Sequence, residues 1–174
     1  THSNLRQGND EKVAALIAEM NSGSVDVLMI NNTNPVYSYP DAAAFTAGLK
    51  KVGTVISFAL SIDETAALAG YVCPDHHYLE SWNDSEPVKG SYSLTQPTIR
   101  NLFNTRQMQD SLIQWAGLPY QDYLAYIQNN WSKNMFGLQT GISSFEAFWT
   151  KSLQEGVFTS TGSVTVYYKS LRIY

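Results

Sequence analysis

Two short stretches carry the polar residues best placed to do chemistry. Asn31-Asn32-Thr33-Asn34-Pro35 follows one apolar run, and Asp63-Glu64-Thr65 follows another. Asparagine tolerates left-handed backbone and offers both a donor and an acceptor. In open α/β sheets, ligands sit beyond the carboxyl ends of the strands. Asn31, Asn32, Asn34, Asp63 and Thr65 are therefore the candidate residues for gripping a polar cofactor. Each stretch also has a plainer reading. The first is an Asn-rich turn that reverses the chain. The second is a capped helix start whose acids favour the helix dipole. Phosphate binding is disfavoured at the first loop, which has no glycine to let backbone approach closely. Asp41 also stands where the next helix would offer its N-terminus to an anion.

Other chemistries find little support. His76 and His77 lie near Asp75 and Glu80, but adjacent histidines in an extended segment point apart. No further His or Cys is spaced to complete a metal shell. Cys73 is the only cysteine, so one chain holds neither an internal disulfide nor a four-cysteine cluster. The chain has no G-x-S-x-G elbow, Walker loop or G-x-G-x-x-G run. With a net charge of −4 and scattered Lys and Arg, it lacks the cationic face that nucleic acid or an anionic membrane requires. No apolar run approaches a membrane span, and the first residues lack the apolar core of a signal peptide.

The elements that must position the two loops are read from periodicity. Val13, Leu16, Ile17 and Met20 repeat at helical spacing, with Asn9 or Asp10 as cap and Gly23 as stop. Residues 25–30 read as a strand buried on both faces. Asp41 caps a second helix with the stripe Ala42, Phe45, Leu49 and Val52. Residues 54–60 read as a second strand, a short helix opens at Asp63 and ends near Gly70, and 71–73 read as a third strand. Alternation of this kind predicts a parallel sheet with helices on its faces. Residues 75–94 read as a long irregular loop. Beyond it the pattern is mainly helical. A helix is expected after Pro97, bearing Ile99, Leu102 and Phe103, and a second through Met108, Leu112 and Trp115. A third runs through Tyr120, Leu124, Ile127 and Trp131. A fourth, with Ser143 and Glu146 as its capping box, carries Phe145, Phe148, Trp149 and Leu153. Val164, Val166 and Tyr168 alternate like a strand. The chain has 11 Tyr, 7 Phe and 4 Trp, too many to be surface ornaments; Trp115, Trp131, Phe148 and Trp149 are expected in the core. One domain over residues 1–174 is the expectation from length.

Asn32-Thr33-Asn34-Pro35-Val36-Tyr37, ending in Pro40, resembles the NP loop of the dimethyl sulfoxide reductase family of molybdopterin oxidoreductases. Asp63-Glu64-Thr65-Ala66 followed by Tyr71-Val72-Cys73-Pro74 resembles that family's next strand-end segment. A narrower pattern resembles the molybdopterin-like, iron–sulfur subunit of alternative complex III, a bacterial quinol-oxidising respiratory complex. It consists of His77 to Trp82, Gly90 to Pro97, Leu102-Phe103 and Thr105-Arg106.

The resemblance implies a three-layer α/β/α domain with a mainly parallel sheet, Rossmann- or flavodoxin-like, as in the middle domains of that family. It also implies that this chain is a piece of a larger oxidoreductase subunit. The family's glycine in the strand-end loop is replaced here by Asn31 and Asn32. Resemblance to the quinol-oxidising branch implies loss of the molybdenum cofactor in this region. The leading expectation is thus a scaffold without a complete active site and without a cofactor of its own. It would lie at the periplasmic face of the bacterial inner membrane, against other domains of its subunit and neighbouring respiratory subunits. The alternative is part of a molybdopterin guanine dinucleotide site in a catalytic molybdenum enzyme, with Asn31, Asn32, Asn34, Asp63 and Thr65 holding the dinucleotide. A free-standing α/β binding module is the third expectation.

Overall fold

The structure, a computed structural model, describes residues 3–5 and 8–160. Within the stretch read as one domain, packing divides these residues into two compact units. One holds residues 8–76 and 103–108; the other holds residues 3–5, 77–102 and 109–160.

The first unit is built on parallel strands. Helix α1 (Asp10–Ser22) starts at Asn9, whose side chain accepts from the Lys12 amide at 3.0 Å. It ends at Gly23, with φ of 77°, where the amides of Gly23 and Ser24 turn back onto the carbonyls of Met20 and Glu19. Strand β1 (Val27–Ile30) follows, then the single turn α2 (Pro35–Ser38) and α3 (Ala42–Leu49). The Asp41 carboxylate caps α3 through the Ala44 amide at 2.9 Å. Strands β2 (Thr54–Ser57) and β3 (Tyr71–Val72) complete a parallel sheet in the order β1-β2-β3. Val27 pairs with Thr54 and Ile30 with Ser57, while Ile56 pairs with Tyr71. The expected α/β class with a parallel sheet is therefore observed.

Period-two alternation sends Leu28 and Ile30 toward the helices, where Ile17, Met20, Phe45, Leu49, Val52 and Val55 close the core. The helices α1 and α3 meet closely at Gly48, where an added Cβ would lie 2.9 Å from Met20 Cβ. The opposite face of β1 is open: Val27 is 52% and Met29 47% exposed. This corrects the expectation of a strand buried on both faces. An apolar run cannot distinguish a doubly covered strand from one covered on a single face.

The second unit holds an antiparallel sheet that the sequence reading missed. Strands β4 (Asn83–Val88) and β5 (Ser91–Thr95) form a hairpin, and β6 (Val157–Thr159) pairs with the other edge of β5. Gly90 supplies the left-handed turn residue, at φ of 83°. The register shifts between Ser85 and Val88, a stretch that contains Pro87, which has no amide to give the ladder. Residues 75–94 are thus not simply an irregular loop.

Helix α4 runs over Met108–Trp115 and α5 over Tyr123–Asn130, continuing as a π-type turn through Trp131–Met135. Helix α6 (Phe145–Glu155) is capped by Ser144, not by the expected Ser143, and ends at Gly156. Its Phe148 and Trp149 pack with Tyr92, Leu94, Ile127 and Trp131 into a core separate from that of the first unit. No helix forms after Pro97: residues 98–107 are bends and coil, with Leu102 and Phe103 exposed. Trp115 is half exposed, so its expected burial is also corrected. The strand expected around residues 164–168 lies outside the described residues.

Candidate functional site

The two loops singled out by the sequence meet at the carboxyl ends of β1 and β2. Parallel pairing of Ile30 with Ser57 aligns the ends of these strands. The Asn34 and Thr65 side chains then come within hydrogen-bond reach across 31 residues of sequence. The Thr65 hydroxyl donates to Asn34 Oδ1 at 2.6 Å and accepts from the Val36 amide at 3.0 Å. The Asn34 amide group donates to Glu64 Oε2 at 2.6 Å. That bond favours the ionised carboxylate and holds Glu64 below the ordinary glutamate range.

The five candidate residues thus take different roles. Thr65 is fully buried, at 0% exposure, and its hydroxyl works within the protein as donor and acceptor. Asn34 uses both ends of its amide on Thr65 and Glu64. Asp63 caps the 3-10 turn Ala66–Leu68 by accepting from the Ala66 amide at 2.7 Å. These three side chains fix the shape of the strand-end loops. Asn32 is exposed and holds a left-handed backbone, at φ of 50°, a conformation asparagine adopts more readily than most residues. Asn31 differs from all of them: its side-chain oxygen is buried and has no hydrogen-bond partner.

A cleft of about 530 Å³ opens beside these residues, between Val13 and Leu16 of α1, the end of β1 at Asn31, and Tyr39, Pro40 and Phe45. Its lining is mainly apolar. A dinucleotide would need polar groups with unused bonding capacity. Asn31 and Asn32 fit that requirement, whereas Asn34, Asp63 and Thr65 are engaged in protein hydrogen bonds and do not.

Of the two histidines, His77 has a structural role. His77 caps the turn Tyr78–Glu80, with Nδ1 accepting from the Leu79 amide at 3.3 Å, and Glu80 accepts from the amides of His77 and Leu102. Among the described residues no group of three or more His, Cys, Asp or Glu side chains is placed to hold a metal. Sequence reasoning missed a second polar cluster, in the antiparallel unit. Asp84 accepts from Trp131 Nε1 at 2.9 Å and from the Tyr123 hydroxyl at 3.3 Å. Its members lie 39 and 47 residues apart, and Asp84 sits on a strand that had not been recognised.

Comparison with known proteins returns no matching family model. The chain is 30% identical over 137 residues to the menaquinone reductase molybdopterin-binding-like subunit of Nitratidesulfovibrio vulgaris, a match that takes in 76% of this chain and 17% of the relative. Its fold is similar to that of acetylene hydratase from Pelobacter acetylenicus, with a TM-score of 0.67 at 19% identity, over 84% of this chain and 20% of the other. The chain therefore spans a fifth or less of the length of these two proteins. With the strand-end loops paired as described and a molybdopterin-binding-like relative matched across three quarters of its length, the chain belongs to the molybdopterin oxidoreductase (dimethyl sulfoxide reductase) family.

Proposed function

We propose that this chain is a scaffold domain of a molybdopterin-oxidoreductase-like subunit in a respiratory electron-transfer complex, and that it carries no complete active site of its own. The observation that supports this reading is the Thr65–Asn34–Glu64 lattice. Side chains at the strand ends that would otherwise face a cofactor are bonded to one another. The relative's name supports a setting among the subunits of a quinone-linked complex. Iron–sulfur and haem-bearing subunits are the partners this setting implies, at the periplasmic face of the inner membrane. Among the described residues no helix is long and apolar enough to cross a membrane.

A second reading is favoured by one observation, the buried and unpartnered Asn31 oxygen beside the left-handed Asn32. There the loop forms one wall of a molybdopterin guanine dinucleotide pocket, completed by other parts of the parent protein. A single wall makes few simultaneous contacts, so its affinity is weak once association entropy is counted. Elemental analysis of the full-length parent for molybdenum, together with calorimetric titration by molybdopterin guanine dinucleotide, separates the readings. The scaffold predicts neither stoichiometric metal nor tight binding. Stoichiometric binding that is lost in Asn31→Ala and Asn32→Ala would overturn it.

A further inference from the structure

The antiparallel unit arranges oxidisable side chains in two runs of ring contacts joined by one carboxylate. Trp82 and Trp149 have ring centroids 6.3 Å apart, and Trp149 and Trp131 are 5.8 Å apart. Trp131 is fully buried, and its indole N–H donates to Asp84 Oδ2 at 2.9 Å. The other oxygen of the same carboxylate accepts from the Tyr123 hydroxyl. Tyr123 stacks on Tyr126 at 5.8 Å, and Tyr126 meets Tyr120 edge-on at 5.3 Å. Tyr126 is 38% exposed, so the series reaches solvent at its phenol end.

Indole and phenol are the side chains most readily oxidised by one electron, apart from thiols. Oxidation of a phenol is strongly coupled to loss of its proton, because the phenol radical cation is a very strong acid. A base hydrogen-bonded to the hydroxyl is therefore what makes a buried tyrosine an electron donor. Tyr123 has that base in Asp84. We propose that Trp82, Trp149, Trp131, Tyr123 and Tyr126 form a relay that carries an oxidising equivalent from the indole core to the protein surface. Asp84 serves as the proton acceptor at its turning point.

The step balances. A one-electron oxidant, of the class of inorganic or metal-derived radicals, takes an electron from an indole and is itself reduced. Trp131, oxidised to its radical cation with its N–H bond intact, then recovers an electron from Tyr123. As it does so, the Tyr123 O–H bond breaks, the proton moves to Asp84 Oδ1, and a neutral phenoxyl radical remains beside a neutral carboxylic acid. An electron from Tyr126 next reduces the Tyr123 radical, which retakes the proton held by Asp84. The Tyr126 phenol releases its own proton to water, and a soluble one-electron reductant restores it as a proton returns from water. In the resting state burial and the Asp84 charge push the Tyr123 phenol well above its ordinary range, so the proton stays on oxygen until oxidation. The carboxylate is thus a base toward the radical cation and not toward the resting phenol.

Pulse radiolysis of the chain with azidyl radicals, which oxidise indole in preference to phenol at neutral pH, tests the relay. In the unmodified protein the indole-radical absorption should decay with first-order kinetics, independent of protein concentration, as phenoxyl absorption rises to match. Tyr123→Phe should slow this conversion at least about tenfold. Asp84→Asn keeps an oxygen acceptor but not a proton base, and should slow it as well. Tyr126→Phe should leave the radical on Tyr123, identified by its electron paramagnetic resonance spectrum. Far-ultraviolet circular dichroism of each variant separates lost folding from lost transfer. Conversion at the unmodified rate in folded Tyr123→Phe, or a rate that scales with protein concentration, would overturn the proposal.

Discussion

At the scale of single residues, Thr65 and Asn34 show how a site motif becomes a structural one. The Thr65 hydroxyl satisfies a backbone amide and a side-chain carbonyl at once, with no exposure to water. Thr65→Val preserves its shape but leaves the Val36 amide without its acceptor and Asn34 Oδ1 without its donor. The expected loss of stability is about 1–3 kcal/mol, read from urea unfolding. The neighbouring Glu64 gives a second test. Its folded-state pKa lies below the unfolded value because Asn34 donates to its carboxylate. Such a group contributes stability above the unfolded pKa, and the contribution is lost as pH falls through the folded one. Glu64 is exposed, so the effect on stability is small. The direct measurement is the carboxyl-carbon chemical shift, and Asn34→Ala is expected to raise the Glu64 pKa toward the usual range. The sequence identified both residues as strand-end groups because the apolar runs before them were clear. It could not show that they bond to each other, since that depends on the register of β1 against β2 and on two loop conformations.

At the scale of elements, caps and stripes were legible where local signals agreed. Asn9, Gly23 and Asp41 bound their helices as their residue types require. Strand β4 was hidden because Asn83, Asp84, Glu86 and Pro87 belong to types depleted in strands; its pairing with β5 overrides that preference. The segment after Pro97 failed in the opposite sense. Its apolar residues matched helical spacing, yet no helix forms there, and Leu102 and Phe103 remain exposed. Trp149 and Trp115 sit on helices with similar patterns but different burial. Trp149 packs against Trp131, Phe145 and Trp82. Trp149→Ala should therefore cost about 3–5 kcal/mol in chemical denaturation. Trp115→Ala, at a half-exposed position, should cost clearly less. Equal shifts in the denaturation midpoint for the two variants would contradict this assignment of the core.

At the scale of the whole molecule, charge determines how the protein answers pH. Its 15 acidic and 11 basic side chains leave a net charge of −4. One ion pair, Lys151 with Glu155, is exposed at 3.8 Å, and such pairs contribute little. The alkaline limb has a specific origin. Tyr123 is raised well above the ordinary phenol range, first by burial and then by Asp84. Tyr92 is raised too, first by burial and then by the charge of Glu86. Both belong to the antiparallel unit, as do all four tryptophans. A group whose folded pKa exceeds its unfolded value contributes stability below the unfolded pKa, and that stability is lost as pH rises through the folded one. For tyrosine the loss begins near pH 10, approximately the pKa of the unfolded chain. Urea unfolding followed by tryptophan fluorescence should show a falling midpoint from about that pH upward. Tyr123→Phe cannot ionise, so its midpoint should be lower than that of the unmodified protein at neutral pH, where the Asp84 hydrogen bond is lost, but should decline less steeply in alkali. Parallel declines in the two proteins would show that Tyr123 ionisation is not what limits the fold at high pH.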